Sequence, residues 1–124
     1  MEKYNMKNLT ERTVTIIDPG THAVVRAYPS EGVRVTVHRG SLIPTESVDG
    51  GVPVVLASAP RSIEGLEGVE GDIIVPLAVA EGMRALRIKH KGAVYTPQQL
   101  VFAPGPERVA LGAPGLMWHA DLSA

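Results

Sequence analysis

The amino-acid sequence predicts a mainly β (α+β) fold: a single compact domain of antiparallel strands, with a meander and one short helix near residues 76–85. Three observations carry this expectation. Sixteen Val and seven Ile outnumber ten Leu, and β-branched side chains fit a pleated, half-buried surface better than a helix. The short apolar runs alternate with period two. The 13 Gly and 10 Pro fall between those runs, where they punctuate turns. A chain of 124 residues has the length of one domain, 1–124. Its mass of 13.2 kDa implies a folded surface of roughly 6,400 Å² against roughly 19,000 Å² unfolded, enough burial for a core. Residues 1–7 are expected to be a flexible or loosely packed N-terminus.

Taken in order, Thr13–Asp18 alternates and then meets Pro19-Gly20, a dipeptide suited to a type II turn. Ala23–Tyr28 reads as the return strand, closed by Pro29-Ser30-Glu31-Gly32. Val33–Arg39 alternates almost perfectly, with Val33, Val35 and Val37 on one face and Arg34, Thr36 and His38 on the other. Together these three strands read as a meander. Gly40–Gly51 is polar and turn-rich and reads as a loop, followed by a strand over Val52–Ala57. Gly65, Gly68 and Gly71 interleave with Glu64, Glu67, Glu70 and Asp72, as in an acidic loop that runs close to neighbouring backbone. After Asp72–Val75, Pro76 suits the first position of a helix. Leu77, Val79, Ala80 and Met83 give that helix an apolar stripe, which Gly82 weakens by about 1 kcal/mol relative to Ala. Leu86–Lys91 reads as a strand or extended exit, and Val94–Pro97 as a short extended piece. Leu100–Ala103 and Arg108–Leu111 read as a hairpin.

Composition removes several function classes. With no Cys there is neither a disulfide scaffold nor a Cys-ligated metal. No apolar run reaches the length of a membrane span and no signal-peptide pattern opens the chain, so a soluble, cytoplasmic protein is expected. A net charge of −1 and five aromatic residues argue against nucleic acid gripped by phosphate neutralisation and base stacking. The sum conceals a division, however. Ser62–Met83 contains no Lys or Arg, whereas Arg84, Arg87, Lys89 and Lys91 follow within eight residues, with His90 and no acid.

Asn8-Leu9-Thr10 followed by Val14 resembles the Asn-Leu-Thr-Pro-His-x-Val opening of a family of small proteins of phages, prophages and some bacteria and archaea. Val48-Asp49-Gly50 with Pro53-Val54-Val55 is similar to that family's Val-Asp-Gly-x-Pro-Val-Val, and Ile63-Glu64-Gly65-Leu66 to its Val-x-Gly-Leu-Pro. Ile73-Ile74-Val75 with Val79-Ala80, Tyr95-Thr96-Pro97, and the hairpin from Leu100-Val101 to Arg108-Val109 continue the likeness in order to about residue 116. Glu11 and Arg12 stand where the family has Pro and His, and Pro76 where it has Ser. The resemblance implies a phage setting and no particular activity. A host-cell cytoplasmic protein of this kind is either a virion or adaptor component or a counter-defence protein that sequesters a nucleotide signal.

No catalytic apparatus is legible. His22, His38, His90 and His119 share no i, i+2 or i, i+4 spacing that would aim two of them at one metal, and Gly-x-Ser-x-Gly is absent. No enzyme, metal or cofactor is therefore expected. Two basic features remain. Arg84 and Arg87 offer planar forks for phosphate within the 84–91 strip; the plainer reading is a solvated face paired with the acidic loop. Arg34 and His38 lie about 13 Å apart on one strand face, with Arg39 at the strand end; the plainer reading there is an ordinary exposed face. Asn8 and Thr10 suit turn-capping. Tyr95 or Tyr28 would supply a stacking ring. The expectation is a non-enzymatic homo-oligomer that binds a small phosphate-bearing ligand, such as a cyclic nucleotide or ADP-ribose derivative. The ligand would be held through Arg34, His38, Arg39, Arg84, Arg87 and Tyr95, with backbone N–H groups opening the helix at Leu77. The rivals are a structural or virion-associated assembly protein, and a module that binds a host protein by a strand edge.

Overall fold

The computed structural model describes residues 6–124, and short strands dominate it. β1 (Lys7–Asn8) precedes an antiparallel hairpin of β2 (Val14–Ile17) and β3 (Val24–Tyr28). β4 (Thr36–Arg39) is followed by a second hairpin, β5 (Ile43–Pro44) and β6 (Val55–Leu56), and then by β7 (Pro60–Glu64), which pairs antiparallel with β4. β8 (Ile73–Ile74) runs through Pro76 into α1 (Leu77–Leu86) and on to β9 (Val94–Pro97). The hairpin of β10 (Val101–Phe102) and β11 (Ala110–Gly112), then β12 (Leu116–Trp118) and a 3-10 turn at Ala120–Leu122 complete the chain. The expected mainly β domain with one short helix is present. Of the N-terminus expected to be loose, residues 1–5 lie outside the described residues, while Lys7 pairs with Ile73.

The central sheet has the order β1-β8-β9-β12, with β8 parallel to both neighbours and β12 antiparallel to β9. β8, α1 and β9 thus form a parallel crossover unit, in which a helix returns the chain to the strand beside its start. Ile73-Ile74-Val75 is apolar without alternation because a strand covered on both faces needs no polar side, and all three are completely buried. Val79, Ala80 and Met83 of α1 close the core over Ile73, Val75 and Val94, joined by Leu9, Val35, Ile63 and Leu122. Gly82 is part of that closure. A Cβ there would meet the methyls of Val37 at 3.2 and 3.3 Å, so the residue that weakens the helix also lets it lie against β4 and β7.

Four expectations need correction. β4 does not continue the β2–β3 hairpin into a meander; the chain reverses through the β5–β6 arm and returns as β7, which pairs with β4 and sets Val37 opposite Ile63. Just after β7, Gly65 lets the chain pass close to the segment before β4: its φ is +103 and a Cβ there would sit 2.5 Å from the Arg34 carbonyl oxygen. Second, Pro19-Gly20 is not a type II turn: the positive φ falls on His22, whose N–H donates to the Asp18 carbonyl, while the Asp18 carboxylate accepts from the Gly20 and Thr21 amides. Third, Gly40–Gly51 is not a simple loop, since Ile43–Pro44 forms one side of a hairpin whose tip is bridged at Val48 and Val52. Fourth, Leu86–Lys91 is not an extended exit. The helix runs to Leu86 and ends with Arg87 at φ 57, where the Arg87 N–H donates to the Arg84 carbonyl and the Ile88 N–H to the Met83 carbonyl. This is a Schellman closure with Arg in the place glycine usually takes. Among the described residues no helix is long and apolar enough to cross a membrane.

Candidate functional site

The segment Asn8–Arg12 links the end of β1 to the start of β2 and determines what lies at the opening of α1. Asn8 is buried, 1 % exposed. Its Nδ2 donates to the carbonyls of Arg12 and Tyr28 at 2.8 and 2.7 Å, and its Oδ1 accepts from the Thr10 amide and hydroxyl at 2.8 and 2.6 Å. All the hydrogen-bonding capacity of a buried amide is therefore used, as burial requires. The motif that opens the resemblance is a structural knot, and it presents Glu11 and Arg12 outward at the helix start.

Two open clefts flank this segment. One, of about 540 Å³, is lined by Leu9, Val35, Val37 and Val79 below and by Arg12, Arg34 and Arg39 at its rim. The other, of about 600 Å³, lies on the far side of Thr10 and Arg12, between β2 and the segment that carries Gln98 and Gln99. Pro76 borders both. Pro76 caps α1 with no side-chain hydrogen bond, and the first turn contains no acidic residue. Among the described residues the amides of Leu77 and Ala78 have no acceptor, and Ala78 lines the first cleft. An uncapped helix start concentrates partial positive charge and free N–H groups, the combination that anions seek. Against three arginines the same cleft holds one carboxylate, Glu11, at 3.1 Å from Arg34. Both members of that pair are largely exposed, so solvent screens the pairing and Arg34 is available to exchange partners.

The structure brings Arg34 and Arg39 together at this cleft, and adds Arg12. It does not bring the other expected residues there. His38 does not line the cleft; its Nε2 lies 2.8 Å from the Glu64 carboxylate on β7, and the strand register shifts between His38 and Arg39. Arg84 and Arg87 sit at the C-terminal end of α1, where the helix dipole opposes an anion. Arg84 is already committed: its fork donates to both Asp121 oxygens at 2.6 and 3.1 Å and its Nη2 to His119 Nδ1 at 3.1 Å. Lys89 donates to the Asp121 carbonyl. Tyr95 is in β9, paired with Trp118 of β12, and lines neither cleft. Tyr28 lies under the Arg26 guanidinium, 5.2 Å from ring centre. Among the described residues no aromatic ring lines either cleft.

A second polar cluster merits chemical scrutiny. Thr96 Oγ1 lies 2.8 Å from His119 Nε2, the spacing of a nucleophile and its base. Arg84 can only donate, however, so it fixes His119 Nδ1 as an acceptor and places the hydrogen on Nε2. The imidazole then donates to Thr96, which is fully buried. The cluster ties α1 to the C-terminal turn and lacks a base aimed at the hydroxyl. The Arg84 guanidinium, hydrogen-bonded to Asp121, holds that carboxyl below the ordinary carboxylate range against a smaller opposing effect of desolvation. Among the described residues no three His, Asp or Glu side chains gather as metal ligands would.

Arg12 was missed at the sequence level because its significance depends on the Asn8 knot, which places it beside a helix start more than sixty residues away. Fold and site together give a β-rich protein with a cleft at a helix N-terminus that Arg12, Arg34 and Arg39 line. Comparison with family models, with curated proteins and with solved structures finds no match for this chain.

Proposed function

We propose that this chain is a non-enzymatic binding protein that holds a small phosphate-bearing ligand in the cleft at the start of α1. The observation that carries the reading is the convergence of Arg12, Arg34 and Arg39 on a helix N-terminus without a cap. Guanidinium forks match phosphate oxygens in pairs, and the free amides of Leu77 and Ala78 add backbone donors. The apolar floor of Leu9, Val35, Val37 and Val79 suits a sugar or base edge, held by dispersion rather than by ring stacking. A cyclic dinucleotide or an ADP-ribose derivative combines these demands. The phage counter-defence setting and a cytoplasmic location rest on the sequence resemblance and composition; the cleft supports only the ligand chemistry.

Isothermal titration with cyclic dinucleotides, ADP-ribose derivatives and inorganic pyrophosphate tests this reading. At least one should bind at micromolar protein, and Arg12→Ala/Arg39→Ala should weaken that ligand by about 10- to 100-fold per guanidinium removed, the equivalent of ~1.5–3 kcal/mol for hydrogen bonds to a charged group. Silence across the panel contradicts it. The second reading, a structural or adaptor subunit, is favoured by one observation: Val24, Val25, Leu42, Ile43, Val55, Leu56 and Trp118 are large apolar residues left exposed. Absence of ligand heat together with stable self-assembly selects it.

A further inference from the structure

The hairpin of β5 and β6 is an arm that the rest of the chain leaves uncovered. None of residues 41–59 is buried. Leu42, Ile43, Val48, Val52, Val55 and Leu56 are between 50 and 61 % exposed. Because neighbouring residues of a strand face opposite ways, Leu42-Ile43 and Val55-Leu56 make both faces of the ribbon apolar. Ile43 stands opposite Leu56 and Pro44 opposite Val55, and the pairing continues through the Thr45 amide to the Val54 carbonyl at 2.8 Å. An isolated two-stranded ribbon with two apolar faces is marginal in water and needs a cover.

We infer that this arm is a self-association surface whose cover is the body of a second copy of this chain. Two quantities identify the occupant. The chain exposes 8477 Å², about 2,000 Å² more than a folded monomer of its mass. Setting aside residues 1–5, with the roughly 950 Å² that five residues expose in an unfolded chain by the same scaling, still leaves more than about 1,000 Å². A standard interface removes about 800 Å² from each partner, so the surplus is of the size that one such contact covers. Charge selects the mode. Residues 40–59 contain Glu46 and Asp49 and no Lys or Arg, a net of −2 within a chain of net −1, so the remainder carries +1. Arm against arm would bring like charges together, whereas arm against the body of a second copy pairs opposite signs.

Sedimentation of the full chain at about 10 and about 100 μM, with hydrogen exchange at both concentrations, tests this. The wild type should sediment as a dimer or larger, and the Thr45 and Val52 amides should gain protection as concentration rises. Ile43→Glu/Leu56→Glu should be monomeric with unchanged near-ultraviolet dichroism of Trp118; a tip variant, Val48→Glu/Val52→Glu, should also dissociate and guards against a fault specific to the first pair. A wild-type monomer at 100 μM overturns the inference, whether its arm amides exchange freely, as for a surface kept for another protein, or are protected at every concentration, as for an arm folded onto its own chain. Oligomers that survive both variants overturn it too.

Discussion

Asn8 shows how much of this architecture one side chain controls. It joins the turn before β2, the end of β3 and the β1 edge of the sheet through four hydrogen bonds made in a buried position. Asn8→Ala would take the side-chain partner from the Tyr28 carbonyl and the Thr10 amide, while the Arg12 carbonyl keeps the Thr10 hydroxyl. The expected cost is about 3 kcal/mol, read as a lowered urea midpoint with the slope unchanged; a loss below about 0.5 kcal/mol would mean that water replaces the amide. The residue type is legible in the sequence as a turn former, but its partners at Arg12 and Tyr28 are not, because one of them lies 20 residues away. Arg87 is the converse case. Arg at a left-handed position removes the glycine signal that would have marked the end of α1, and so the segment after Leu86 reads as extended although it is a Schellman closure.

At the scale of elements, the two ends of α1 differ: one is left uncapped and the other is held by side chains. Its start is bare of caps and faces arginines. Its end is bound by Arg84 to Asp121 and His119, which closes the C-terminal turn against the helix. Because the Asp121 carboxyl is held below the ordinary carboxylate range in the folded state, the stability it contributes is present above that range and is lost as pH falls through its depressed value. Asp121→Asn should therefore be less stable than the wild type at neutral pH. The difference should shrink in denaturation measured at progressively lower pH, as the Asp121 carboxyl takes up its proton. A difference that is independent of pH would place the contact outside the stability of the fold. The basic strip at 84–91 reads as an anion candidate from sequence, since nothing local announces that Asp121, 37 residues on, pairs with its Arg84. Conversely, β5 went unread because Leu42-Ile43 has no alternation: a ribbon with two apolar faces looks like neither a half-buried strand nor a polar loop.

For the molecule as a whole, β content, the helix and the terminal hairpin were readable because they follow from local periodicity and turn residues. Strand order was not. β7 returns along β4 across the β5–β6 arm, and the Ile73-Ile74 pair enters a parallel crossover, both through contacts remote in sequence. The candidate site divides the same way: Arg34 and Arg39 were found by their strand, Arg12 only by the fold, while His38, Arg84, Arg87 and Tyr95 belong to other surfaces. The central claim, that the start of α1 receives a phosphate anion, is most directly tested by amide chemical shifts of the labelled full chain as inorganic pyrophosphate or the best-binding nucleotide is added. Saturable shifts at Leu77, Ala78 and Arg12, suppressed by salt, are predicted. Shifts confined to Arg84–Lys91, or none at all, would contradict it.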